Sequence, residues 1–249
     1  MERDGQGACD DRDGGTPGSS LALGDRRKEG TMAIEAVPGT ADLVHARIPD
    51  TTAAGMVILL NGTSSSGKTS MARALLDILD GTWFHMPVDA FHAMRCKRDI
   101  SDEELQPEID RTAKGFHRAV AGMAAGGNNL VVDYPLSRRW RLLDLLDLLV
   151  PEDTVLVGVR CPLPELERRE SERGDRQPGL AAMQYGAVHS HELHDLDIDS
   201  SLHTPAECAL RIRDFLPDRP RPTAFETLRR TLRRPHRPTA HTPAEAGPD

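Results

Sequence analysis

Gly62-Thr63-Ser64-Ser65-Ser66-Gly67-Lys68-Thr69 fits the pattern G-x-x-x-x-G-K-[ST] at every fixed position. The apolar run Met56-Val57-Ile58-Leu59-Leu60 precedes it and reads as a buried parallel strand. Residues 70–79 follow it, with Met71, Leu75, Ile78 and Leu79 at helical spacing. A Gly/Ser-rich turn would explain the octapeptide alone, but not the strand and helix that flank it. Strand, loop and helix start are the parts of a nucleotide phosphate site, because loop N–H groups and the helix N-terminus can face the phosphates. On this reading Gly62, Thr63, Ser64, Ser65, Ser66, Gly67 and Ser70 cradle phosphate. Lys68 reaches the β- and γ-phosphates, and the Thr69 hydroxyl holds Mg²⁺.

Outward from the loop, strand and helix patterns alternate. Residues 82–88 read as a second strand ending at Asp89, and 96–110 as a charged, irregular excursion. Residues 111–125 have helical spacing, closed by Gly126-Gly127. Residues 130–133, 154–159 and 196–199 read as strands, and 140–149, 162–172, 178–193 and 206–216 as helices. This alternation predicts an α/β fold with a parallel sheet covered on both faces. The carboxyl ends of such strands share one edge, where ligands bind. That edge would carry the loop, Asp89 and Asp133 together. Residues 1–54, rich in Gly, Asp, Thr and Ala, read as a disordered leader, and 55–217 as the globular domain. The Pro- and Arg-rich residues 218–249 read as a disordered, solvated tail, with one short basic helix over 225–232 and a weak anionic contact as the alternative.

The 249 residues suffice for one α/β domain. A net charge of −8 speaks against nucleic acid or an anionic membrane as partner. Four cysteines without CxxC spacing argue for a reducing compartment rather than a disulfide framework or a zinc site. No apolar run approaches the roughly 20 residues of a membrane helix. The polar N-terminus does not read as a signal peptide, so a cytoplasmic location is expected. A homo-oligomer remains compatible with all of this. An Asn-Lys-x-Asp guanine-reading motif does not occur, which disfavours a GTPase.

Phosphoryl transfer needs positioning, charge neutralisation, and a residue that orients or deprotonates the nucleophile. Asp89 could be that base, or merely the N-cap of a following helix; position alone does not separate the two. Asp133, after Leu130-Val131-Val132, has the place of a Mg²⁺-organising carboxylate. The cluster Arg168-Arg169-Glu170-Ser171-Glu172-Arg173-Gly174-Asp175-Arg176 reads either as a solvated helix end or as a mobile segment whose arginines close on the triphosphate. His189, His191 and His194, beside Asp195, Asp197 and Asp199, suit structural or adenine-side roles better than a metal site, since alternate strand residues point to opposite faces. Aromatic residues make up only 4% of the chain, which limits pocket candidates to Phe91, Tyr134, Trp140 and Tyr185.

Together these stretches resemble the chloramphenicol phosphotransferase-like family of phosphate-loop kinases. The resemblance runs over residues 56–216. It rests on Ile58-Leu59-Leu60-Asn61-Gly62 leading into the loop, on Val88-Asp89, and on Gly158-Val159-Arg160-Cys161. Arg169-Glu170-Ser171-Glu172-Arg173-Gly174-Asp175-Arg176, with the later Val188-His189, completes it. It implies a five-stranded sheet of order 2-3-1-4-5, ATP as donor, Mg²⁺, and a small hydroxyl-bearing acceptor. It also implies Asp89 as catalytic base, with Arg173 and Arg176 as lid arginines and Arg169 one turn earlier. The family's second acidic residue after the third strand is Tyr134 in this chain. Kinases of a sugar, a shikimate-like acid or a nucleoside, and a non-catalytic ATP-binding regulatory module, are the competing readings.

Overall fold

The computed structural model describes residues 53–96, 100–174 and 178–233. Nearly all of the expected leader lies outside them, as do Asp175, Arg176 and residues 234–249.

Five strands form one parallel sheet in the order β2-β3-β1-β4-β5. Strand β1, Val57–Asn61, is central and buried along its whole length. It pairs with β3, Asn129–Asp133, on one side and with β4, Thr154–Arg160, on the other. Strands β2, Trp83–Pro87, and β5, Leu196–Asp199, form the edges. Continuous apolar runs in β1, β3 and β4 suit strands covered on both faces.

The two-residue period of the strands divides the core. Val57, Leu59, Leu130, Val132 and Leu156 face one side. There they pack on α3 (Asp102–Ala125), α4 (Arg139–Leu148) and α8 (Ala224–Leu232), through Phe116, Val120, Leu145 and Phe225. Ile58, Leu60, Val131, Val155 and Val157 face the other side, against α1 (Lys68–Leu76) and α7 (Pro205–Phe215). Shorter helices complete the carboxyl edge: α2 (Val88–Ala93), α5 (Leu163–Arg173) and α6 (Leu180–Tyr185).

Three segments differ from the sequence reading. The irregular stretch expected to 110 is helical from Asp102, because Ser101 caps α3. Its hydroxyl accepts from the Glu104 N–H at 3.3 Å and lies 3.1 Å from Glu104 Oε2. The acidic residues Asp102, Glu103 and Glu104 then sit where the helix dipole favours negative charge. The single helix expected over 178–193 stops at Tyr185. Turns follow, and Asn61 Nδ2 donates to the Val188 carbonyl at 2.8 Å.

The third difference is that the short helix read over 225–232 is docked on the domain rather than solvated. Residues 224–232 form a helix with Phe225 fully buried. A capping box at Thr223 and Glu226 starts it. Thr223 Oγ1 donates to the Pro151 carbonyl at 3.0 Å. Asp195 bridges the new helix to the sheet: Oδ1 accepts from Ala224 N–H at 2.6 Å and Oδ2 from Leu156 N–H at 2.7 Å. Apolar burial and these bonds outweigh a composition that suggested solvation.

Candidate active site

The loop between β1 and α1 is built by close packing. A Cβ on Gly62 would lie 2.6 Å from the Val159 carbonyl oxygen and 2.7 Å from Ser66 Oγ. Only glycine lets the loop cross β4 at that distance. Gly67, at φ 88°, turns the chain into α1 in the left-handed region that glycine tolerates. Inside the loop the Thr63 carbonyl accepts from Ser66 Oγ at 2.9 Å and from Lys68 Nζ at 2.7 Å. The Lys68 ammonium therefore curls back over its own loop. Ser65 and Ser66 are buried, and Ser70 is exposed at the start of the helix.

Asp133 ends β3 and sits beside Leu60 and Pro87 in register. Its Oδ2 accepts from Thr69 Oγ1 at 2.5 Å, and its Oδ1 is 3.8 Å from Lys68 Nζ. His85, one strand away, places Nε2 3.9 Å from Oδ2. Burial lowers the His85 pKa, against the pull of Asp133. The sheet edge thus gathers the loop lysine, the loop threonine and a strand-end carboxylate, as the strand–loop–helix pattern required.

Asp89 is neither at a strand end nor an N-cap. It occupies the first turn of α2, whose N-cap position is Pro87. Its side chain lines the same cavity as Lys68, Thr69 and Asp133, a cleft of about 530 Å³. Arg173, at the end of α5, lines this cleft and also a second one of about 400 Å³ on the other side of Gly67. Arg169 lines only the second, with Ser65, Ser200, His203 and Cys208. Its guanidinium donates to the Ser200 carbonyl at 2.9 Å and to Glu165 Oε1 at 2.7 Å, tying α5 to the turn after β5.

Of the four aromatic candidates, Tyr134 alone lines the larger cleft. Phe91 and Trp140 pack against the core, and Tyr185 lines a third cleft next to Thr63 and His189. The histidines wrap the end of β1: Asn61 Nδ2 is 3.1 Å from His191 Nε2 and 3.4 Å from His194 Nε2. Burial pushes His189 down to about 4, with Arg160 adding to the effect. Burial also holds His194 well below its usual value.

Sequence reasoning did not select Gln184, His92, Arg138 or Arg141, all of which line the larger cleft. Gln184 Oε1 accepts from the Ser64 N–H at 2.8 Å, linking α6 to the phosphate loop. The signal for Arg138 and Arg141 was present as the basic run Arg138-Arg139-Trp140-Arg141, separated from the end of β3 by four residues.

A sequence model of the chloramphenicol phosphotransferase-like proteins matches residues 55–217. The chain belongs to the chloramphenicol phosphotransferase-like family. Similar in sequence to this chain are proteins of two Mycobacterium tuberculosis strains, each provisionally named an O-phosphotransferase. Both are 29% identical over 199 residues, covering 71% of this chain and 88% of theirs. Among solved structures, shikimate kinase from Acinetobacter baumannii, in complex with shikimate, superposes with a TM-score of 0.52 at 13% identity. It covers 67% of this chain and 95% of its own. The APS kinase of M. tuberculosis, with AMPPNP and APS, gives 0.50 at 17% identity, covering 66% and 98%. The chloramphenicol phosphotransferase-like domain is thus a phosphate-loop kinase fold with the 2-3-1-4-5 sheet, and the protein is a phosphotransferase. No helix among the described residues is long and apolar enough to cross a membrane.

Proposed function

We propose that this protein transfers the γ-phosphate of ATP to a hydroxyl group of a small molecule, with Asp89 as general base. The reading is carried by one observation: the phosphate loop, Asp133 and Asp89 line a single cavity. Loop N–H groups and the α1 N-terminus would hold the phosphates. Lys68 would exchange the Thr63 carbonyl for a phosphate oxygen, since a charged acceptor binds an ammonium more strongly than a neutral one. The second cleft, which Gly67 and Arg169 line, would take the nucleoside.

Thr69 and Asp133 offer a hydroxyl and a carboxylate, hard oxygen donors of the kind Mg²⁺ prefers. One carboxylate leaves most of the coordination to water and phosphate, as is usual for this ion. When bound, the ion would neutralise charge on the transferring phosphate. Arg173, which borders both clefts, would supply further positive charge; Arg176, outside the described residues, is proposed for the same task.

In the transfer, the acceptor oxygen forms a bond to the γ-phosphorus as the bond to the β,γ-bridging oxygen breaks. The acceptor's proton passes to Asp89, and ADP leaves. A coupled assay of ADP release against hydroxyl-bearing antibiotics, sugars, acids and nucleosides tests the reading. Turnover should vanish with Lys68→Ala, and Asp89→Asn should serve as the blank. Nucleotide binding without transfer to any acceptor, unchanged by Asp89→Asn, would instead make the protein an ATP-binding regulatory module.

A further inference from the structure

The larger cleft carries more positive charge than phosphate binding on the loop requires. Its lining includes Lys68, Arg138, Arg141 and Arg173, against the carboxylates of Asp89 and Asp133. Lys68 lies on the phosphate loop, and Arg173 borders the second cleft as well. Arg138 and Arg141 do not belong to that half. They sit at the start of α4, after Asp133, and line the cleft together with Asp89 and His92.

Arg141 is the unusual one. Its side chain is 9% exposed, yet it is incompletely paired. Nη1 donates to Ser137 Oγ at 3.0 Å and to the Pro135 carbonyl at 3.4 Å, both neutral acceptors. Nη2 is 4.0 Å from Asp110 Oδ1, at the limit of an ion pair, and Asp110 also accepts from Gln106 at 2.9 Å. Nε is buried with no partner among the described residues. Next to it, the Tyr134 hydroxyl is buried and likewise without a partner, with the guanidinium 5.5 Å from the ring centre. His92, one turn after Asp89 on α2, has a buried Nδ1 in the same condition. Burial lowers the pKa of that imidazole, and Arg95 and Arg141 add to the effect against the pull of Asp89.

A buried cation with unmade hydrogen bonds is costly, and a matching anion removes most of that cost. A planar guanidinium matches a carboxylate or phosphate in particular. We infer that the acceptor is an anion: a small molecule bearing a carboxylate or phosphate that docks on Arg141 and Tyr134 while its hydroxyl meets Asp89. This specifies the acceptor of the proposed kinase and rests on the reading of the cleft as its acceptor site. A neutral amphipathic acceptor would leave the Arg141 charge as poorly matched as it is without one.

The test uses calorimetric titration of the full chain saturated with ADP. The probes are small hydroxy acids paired with their carboxamides, and sugar phosphates paired with the parent sugars. At least one anion should bind about tenfold or more tightly than its neutral partner, the size of one charge-assisted hydrogen bond. The arm that responds tells carboxylate from phosphate. Arg141→Gln should erase the preference, with ADP affinity kept within about twofold. Arg141→Lys, which keeps charge but loses the fork, should retain part of it. The inference is overturned if neutral members bind as well as the anions, if no anion binds, or if Arg141→Gln weakens both members of a pair equally. ADP affinity is read first and without acceptor. Its absence, or its indifference to Lys68→Ala, would sink the kinase reading itself.

Discussion

Thr69 Oγ1 and Asp133 Oδ2 lie 2.5 Å apart although 64 residues separate them in the chain. The bond joins the first turn of α1 to the end of β3 at the sheet's carboxyl edge. If both residues organise Mg²⁺, disturbing either one should change the metal requirement before it changes nucleotide binding. Asp133→Asn is expected to raise the Mg²⁺ concentration for half-maximal turnover by about 10–100-fold. Equal Mg²⁺ dependence in mutant and wild type would leave Asp133 as a structural anchor of Thr69.

Asp89→Asn should lower kcat by about 10²–10⁴ with little change in ATP affinity, as expected of a general base. Single-turnover kinetics and nucleotide titration on the same sample separate the two effects. A collapse of ATP binding would move Asp89 to the donor side of the site.

Gly62→Ala places a methyl group 2.6 Å from the Val159 carbonyl oxygen and so displaces the loop from β4. A shift of about 1 Å in the phosphate cradle should cost roughly 10²-fold in turnover. The fold should survive, since neither core cluster includes this residue. Retained activity with unchanged thermal stability would show that the loop can yield there.

Burial lowers the pKa of His85, His92, His117, His189, His191 and His194. The folded chain therefore keeps these rings neutral at pH values where the unfolded chain, titrating near 6.5, takes up protons. Stability should be complete above about pH 6.5 and fall as the pH drops toward 4, the value to which His189 is pushed. Denaturant midpoints at pH 7 and pH 5 measure the slope, and His189→Gln should make it shallower. A midpoint that does not move over this range would contradict the neutral, buried state of the cluster.

Phe225 is fully buried against the face of the sheet that includes Leu59 and Leu156. Phe225→Ala should cost about 3–5 kcal/mol, the usual range for a buried phenylalanine. Thr223→Ala removes a helix cap and should cost about 1 kcal/mol, with a further loss from the unpaired Pro151 carbonyl. Urea titration of both variants checks the values. A Phe225→Ala loss within experimental error of zero would return residues 218–233 to the status of a tail.

The phosphate loop was legible because its geometry is local. Gly62 and Gly67 are demanded by close approach and by a positive φ, and the strand and helix beside them announce themselves by period. Asp133 was legible for a related reason, since an apolar triplet ending in Asp must place that carboxylate at the strand's end. Helix ends were harder to read. Ser101-Asp102-Glu103-Glu104 and Thr223-Ala224-Phe225-Glu226 both carry the Ser/Thr-x-x-Glu cap signature. In each case the surrounding charge or proline masked it. Arg141 showed in the sequence only as one member of the basic run Arg138-Arg139-Trp140-Arg141, with nothing to single it out. Its position in the first turn of α4 is ordinary, and its burial over Tyr134 arises only when α4 packs against α3.

The docking of α8 also bears on how the protein is made. The central strand β1 is made before the last helix that helps cover one side of its sheet, some 160 residues later in sequence. Until residue 232 clears the exit tunnel, Leu59, Leu156 and their neighbours lack the aromatic ring of Phe225 that closes over them. A domain that lacks α8 would expose this apolar flank, the kind of surface that makes incompletely folded chains prone to aggregate.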